Sequence, residues 1–201
     1  RLLALNEVGA DPTIFGVDSP QVHAWMEERQ RTWPHALSTT ATHDTKRGED
    51  VRARLAVLSE MPAAWASTVR SWRGHTRRLK PLVHGRPVPD ANEEYFLYQM
   101  LLGAWPLAAD EEPAFAGRFE EYVVKALREA KVHTSWLTPD EAYESGVLAF
   151  VRALLDPARP FLRRFRPMQE LIAEAGMLNG LAQVLLKIAS PGVPDFYQGT
   201  E

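Results

Sequence analysis

The 201 residues contain no cysteine. That excludes a disulfide scaffold, a thiolate zinc site and a cysteine nucleophile, and it fits a reducing compartment, so a cytoplasmic setting is expected. No apolar run reads as long enough to span a bilayer and no signal-peptide pattern is present, so no membrane partner is expected. Phosphate-loop and dinucleotide glycine patterns are missing, as is a Gly-x-Ser-x-Gly elbow. The six histidines are scattered without a His-x-x-x-His pair, so neither a metal nor a cofactor is expected. Charge of one sign is also lacking. Lys and Arg number 23 against 26 Asp and Glu, a net −3, which argues against a dedicated nucleic-acid binder.

What is present is the composition of a globular protein, 45% hydrophobic and 24% charged, long enough for one large domain or two small ones. The chain starts at Arg1 rather than Met and stops at Glu201 without a polar tail. Both ends read as cut, and a piece of a longer protein is expected.

Helix signals dominate. Asp18-Ser19-Pro20 predicts a helix start, and Trp33-Pro34 predicts its end, because the residue before proline is pushed out of the α region. Val51, Leu55 and Leu58 form one apolar stripe; Trp65, Val69 and Trp72 form another after Pro62. Gly74 to Pro89 reads as a loop. Asp90-Ala91-Asn92-Glu93 has capping-box spacing and opens an apolar helix that stops at Trp105-Pro106. A helix is predicted from Pro113. Thr138-Pro139-Asp140-Glu141 reads as a second capping box, with a helix ending at Asp156-Pro157. The last long helix is predicted from about Pro167 to Ser190, with Gly176 and Gly180 as potential breaks. Only two segments read as strands. Ser38 to His43 is short and rich in β-branched residues, and Val193 to Tyr197 reads as a short buried strand.

From Ala63 to Val88 there are six Arg and Lys (Arg70, Arg73, Arg77, Arg78, Lys80, Arg86) and no Asp or Glu. A solvated surface, or pairing with acids elsewhere, is the expectation for this patch. Trp25, Trp65, Trp72, Phe96 and Phe150 lie on apolar stripes and are expected in the core. Trp136 sits in a loop just before a helix cap, where function concentrates.

Thr42 to Asp50 is the segment with the most chemistry. A strand ending in His43-Asp44 runs through Lys46, Arg47 and Glu49 into a helix. In β/α barrels catalytic side chains sit where strands end at their carboxyl edge, and a carboxylate there can face a developing cation in a dry site. The competing reading makes Asp44 the cap of the next helix and leaves Lys46 and Arg47 solvated.

Thr42-His43-Asp44 resembles the segment closing the seventh barrel strand of the α-amylase superfamily. Pro191 to Glu201 resembles its eighth-strand segment. The whole layout is similar to the maltooligosyl trehalose synthase family: Arg1 to Gly9, Thr42 to Leu55, Glu94 to Gln99, and Lys131 to Trp136 followed by Pro139-Asp140-Glu141. The resemblance implies a mainly α chain that is a piece of a (β/α)8 TIM barrel, carrying strands 7 and 8, with a large helical insertion. Residues 1–49 would hold the barrel segment with strand 7, 50–165 the inserted helical subdomain, and 166–201 a barrel helix and strand 8.

It also implies an activity for the parent protein, an isomerase that converts the reducing-end α-1,4 linkage of a maltooligosaccharide into α,α-1,1 by intramolecular transglucosylation. The mechanism would be retaining, through a glycosyl–enzyme intermediate. Asp44 would be the third, transition-state-steadying carboxylate. His43, Lys46, Arg47 and Trp136 would bind substrate. The nucleophile and acid/base would lie upstream of Arg1, so the chain alone is expected to be inactive. A trehalose-releasing hydrolase in the same pathway is a further expected partner. Two alternatives stay open. One is another glycosidase or transglycosylase of the superfamily. The other is a helical protein- or nucleic-acid-interaction module using the basic patch, whose DNA affinity would fall steeply with salt.

Overall fold

A computed structural model describes residues 2–198. Arg1 and Gly199-Thr200-Glu201, the ends of two of the strings that carry the resemblance, lie outside the described residues. The chain divides into two units, Arg1–Glu60 with Ile172–Glu201, and Met61–Leu171.

In the first unit, helix α1 (Ser19–Thr32) begins where Asp18 accepts the Gln21 amide at 2.9 Å while Gln21 returns a bond to the Asp18 amide at 3.0 Å. It ends at Trp33, ahead of Pro34, as predicted. No residue of α1 is buried, and Trp25, expected in the core, is 56% exposed beneath the Arg29 guanidinium. The apolar spacing of Val22, Trp25 and Met26 is too sparse to bury a helix face.

Strand β1 is two residues, Leu37–Ser38, and not Ser38 to His43. The reason is local: Thr39 and Thr45 donate their hydroxyls to backbone carbonyls, Thr39 Oγ1 to Ala41 O at 2.5 Å, and Thr42 Oγ1 accepts the Asp44 amide, and such bonds compete with a ladder. Helix α2 (Glu49–Val57) follows, and a 3-10 turn at Leu3–Leu5 packs on it.

In the second unit, α3 (Pro62–Thr76) leads through a 3-10 turn into strands β2 (Leu82–Val83) and β3 (Arg86–Pro87), a hairpin where a loop was predicted. Its turn, His84-Gly85, has both residues at positive φ, matching the twist of the flanking strands. Helices α4 (Ala91–Ala104), α5 (Glu112–Ala130) and α6 (Glu141–Leu155) follow. Asp90 caps α4 as predicted, accepting the Asn92 and Glu93 amides. The cap of α6 is Asp140, which accepts the Tyr143 amide, and not Thr138, whose hydroxyl bonds Ser135.

Trp72 centres this core, with ring contacts to Trp65, Tyr98, Phe161 and Phe165 at 5.3–5.8 Å. Glu94, buried, takes the ammonium of Lys80 at 2.7 Å, Arg73 at 3.3 Å and the hydroxyls of Thr76 and Tyr98. Two members of the basic patch are thus paired; Arg70, Arg77, Arg78 and Arg86 are exposed.

Helix α7 (Pro160–Ala189) starts seven residues ahead of the expected Pro167 and runs through it. Phe161 and Phe165, one turn apart and buried on Trp72, anchor the first turns strongly enough to offset the backbone bond that Pro167 cannot make. Nor does Gly176 break it. A side chain there would meet the Arg54 Cα at 2.8 Å, so glycine is what lets α7 and α2 approach.

By length and composition α7 could cross a membrane, contrary to the reading of the sequence. One such helix is weak evidence, and Ile172, Ala173 and Lys187 on it are buried within the protein. Strand β4 (Val193–Pro194) pairs with β1 in parallel, with Leu37 opposite Val193. The Val193 and Asp195 amides donate to Ala36 O and Ser38 O, and Pro194 between them needs no amide on that side; β4 is not the buried strand predicted, since Val193 and Phe196 are 45% and 47% exposed.

Candidate active site

Beyond β1 the chain turns at Thr42 to Thr45. The Thr45 amide and hydroxyl both donate to Thr42 O, at 3.1 and 2.7 Å, and the Asp44 amide donates to Thr42 Oγ1 at 3.2 Å. The two threonines close the turn upon itself. The residues between them project outward, His43 with 80% and Asp44 with 67% of the side chain exposed, His43 Nε2 lying 3.5 Å from Asp44 Oδ2. Asp44 does not cap α2; that position belongs to Gly48, which offers no side chain.

Buried charge lies beneath the turn. Thr40 Oγ1 donates to Glu49 Oε1 at 2.6 Å and accepts from Lys187 Nζ at 3.0 Å. The Lys187 ammonium also donates to Asp195 O at 3.0 Å, lies 3.9 Å from Glu49 and sits 4.3 Å from the Phe196 ring centroid. Both charged side chains are almost fully buried. One lysine thereby ties α7 to the stretches that follow β1 and β4, and Arg52 adds a bond to Thr40 O. On α1, Arg29 donates to Pro191 O, Ala36 O, Leu37 O and Ser38 Oγ, holding the two strands together from one side. Gly192, at φ +122°, passes so close to Ala36 O that a side chain would collide with it.

The expected site residues separate into groups. Lys46 is exposed next to His43 and Asp44. Arg47, expected to bind substrate, is only 7% exposed and donates to Asn6 O at 3.3 Å, so its guanidinium is turned into the protein. Trp136 belongs to the Met61–Leu171 unit. It is 55% exposed in the loop before α6, with the Arg128 guanidinium 5.0 Å over its ring. Arg128 is fixed in turn by a two-pronged bond to Glu144, at 2.8 and 2.7 Å.

One cluster escaped the sequence reading. Asp90, Glu93 and His133 bring donor atoms within 4.8 Å of one another, a spacing that could hold a metal ion. Three of the four carboxylate oxygens carry hydrogen bonds, however. Asp90 Oδ1 caps α4, Oδ2 takes His133 Nε2 at 2.9 Å, and Glu93 takes the Tyr143 hydroxyl and the Asp90 amide. Burial pushes the Glu93 carboxyl above its usual range. Burial acts in the same direction on Asp90, but the Glu93 amide, His133 and the Asn92 amide together outweigh it and hold that carboxyl low.

No family model matches the chain. Among curated proteins, the putative maltooligosyl trehalose synthases of two Mycobacterium tuberculosis strains, CDC 1551 / Oshkosh and H37Rv, are 40% identical to it over all 201 residues. Among solved structures, a hypothetical maltooligosyl trehalose synthase of Sulfolobus tokodaii superposes on 98% of the chain with a TM-score of 0.86 at 35% identity. A glycosyltrehalose synthase designated DSM5389 covers 99% with a TM-score of 0.85 at 38% identity. From end to end the chain is similar to maltooligosyl trehalose synthases. It spans about a quarter of them, 25% of the curated relatives and 26% and 25% of the two solved chains. The resemblance read from the four strings is borne out, and so is the mainly helical character of the chain.

Proposed function

We propose that the protein to which this chain corresponds isomerises the reducing end of a maltooligosaccharide, turning its last α-1,4 linkage into α,α-1,1, and that Asp44 is one of its catalytic carboxylates. The observation that carries this reading is the placement of His43-Asp44. In a chain similar throughout to maltooligosyl trehalose synthases, the pair projects from a turn just past a strand that pairs in parallel with a second strand far away in sequence. In a β/α barrel that is where catalytic side chains stand. We assign β1 and β4 to barrel strands 7 and 8, residues 1–49 and 166–201 to barrel segments, and 50–165 to an inserted helical subdomain. The cytoplasmic setting expected above goes with this assignment.

The chemistry follows from charge. Breaking the bond between the anomeric carbon and O4 leaves the sugar ring oxocarbenium-like, and a carboxylate beside it stabilises that positive charge far better in a closed site than in water. Asp44 does this. His43, at its flank, donates to sugar hydroxyls, and Lys46 and Trp136 are further substrate contacts. Arg47 is a less direct contact in this reading, since its side chain is buried and one of its N–H groups is on Asn6 O. The released glucose turns within the site and its anomeric hydroxyl attacks the glycosyl–enzyme, so no water is consumed. The nucleophile and the acid/base are assigned to other barrel strands, outside this chain, and the 201 residues alone have no turnover. A hydrolase that releases free trehalose is the fitting consumer of the product.

Replacing Asp44 by Asn in the full-length protein tests the assignment. We expect the rate at which reducing ends are lost to fall by about a thousandfold or more with the thermal transition unchanged. Undiminished turnover overturns the role of Asp44. A net gain of reducing ends with the unaltered enzyme, the mark of hydrolysis, overturns the isomerase in favour of a glycosidase.

A further inference from the structure

Thr42 and Thr45 fix the shape of the turn that bears Asp44, but bonds internal to a turn do not fix where it points. That is decided by what the turn is fastened to. Glu7 Oε1 accepts the Lys46 amide at 2.7 Å and the Val8 amide at 2.8 Å. In the opposite direction the buried Arg47 guanidinium donates to Asn6 O. The two residues that follow the turn are therefore clasped to two consecutive residues of a segment 39 and 41 positions earlier, side chain to backbone each way. The 3-10 turn at Leu3–Leu5 just before the clasp packs on α2, so the clasp connects the turn to the helix that follows it. The second oxygen of Glu7 is buried and has no hydrogen-bond partner among the described residues. The first oxygen, by contrast, has two amides.

We propose that Glu7 is a positioning residue for Asp44, acting through the Lys46 amide. This rests on the reading of Asp44 given above. The bond needs an acceptor at a definite reach and not a negative charge, which separates the proposal from direct participation of Glu7 in the chemistry. Gln keeps the acceptor and loses the charge; Asp keeps the charge and is one methylene too short to reach Lys46.

The experiment uses the full-length protein and steady-state kinetics on a maltooligosaccharide, with thermal unfolding of each variant. Glu7→Gln is expected to stay close to wild type. Glu7→Asp is expected to lose about a hundredfold in kcat, the cost of misplacing a reacting group by an ångström or so, with KM little changed and the unfolding temperature retained. Arg47→Met, which opens the other half of the clasp, is expected to lower kcat in the same way.

The proposal is overturned if Glu7→Gln falls as far as Glu7→Asp, which would make the charge essential. It is equally overturned if Glu7→Asp keeps its kcat, or if it fails by unfolding, which would make Glu7 merely structural. Asp44→Asn, run alongside, keeps the two ideas apart. Full activity there removes the role of Asp44, whereas an inactive Asp44→Asn beside a fully active Glu7→Asp removes only the clasp.

Discussion

Two glycines on one helix should respond to the same substitution with opposite sign. Gly176 and Gly180 stand one turn apart on α7, and either one replaced by Ala gains about 1 kcal/mol of helix propensity. At Gly180 an added Cβ meets nothing within 4 Å, so the gain stands. At Gly176 it lies 2.8 Å from the Cα of Arg54 and 3.1 Å from its Cβ. Backbone cannot swing aside as a side-chain tip can, so α2 and α7 must separate. Overpacking of this kind costs about 1–3 kcal/mol. Net of the propensity gain, Gly176→Ala should destabilise by about 1 kcal/mol where Gly180→Ala stabilises by about as much.

The readout should be local to these helices. Asn179 Nδ2 donates to Ala53 O at 3.3 Å across the same contact, so the contact can be followed from both sides. Amide exchange of residues 53–57, with thermal unfolding of the whole chain, reports whether the two helices have moved apart. Equal stabilisation by both substitutions would refute the close approach and the reason given for glycine at 176.

Lys187→Met removes a buried ammonium that Thr40, Asp195 O and Glu49 surround and should cost about 3–5 kcal/mol, with part of the loss recovered when Glu49→Gln is added; denaturant unfolding of the two variants checks it. Trp72→Ala empties the aromatic centre of the Met61–Leu171 unit and should destabilise it by about 3–5 kcal/mol in the same measurement. Stability of that unit should also depend on pH. The hydrogen bonds from Arg128 hold the Glu144 carboxyl below its ordinary value, so its contribution is complete above the ordinary glutamate range and is lost as pH falls through the lowered value. Glu93, raised by burial, acts in the opposite sense: its protonated form favours the fold, and that contribution is lost as pH rises through the raised value. Glu144→Gln should flatten the acid limb of a stability–pH curve, and Glu93→Gln the rise-side loss.

The sequence by itself determined the features that close within a few residues. Asp18 and Asp90 announce helices because a capping box joins positions three apart, a bond that any chain with those residues can form before it folds. The stops at Trp33 and Trp105 are equally local, since the prolines that follow act on the preceding residue. His43-Asp44 stood out as a candidate for a different reason, namely that the string itself resembles a known one.

Tertiary structure alone decided the rest. Whether Trp25 is core or surface, whether a helix runs through Pro167, and how much of Ser38 to His43 finds a strand partner all depend on what packs opposite. The bonds that hold the turn join Glu7 to Lys46, Lys187 to Thr40 and Arg29 to Pro191, the last 162 positions apart. A lone Glu, Lys or Arg carries no mark of such a partner. A capping bond is favourable wherever its few residues meet, but a buried charge is tolerable only once the fold has placed its counterpart beside it.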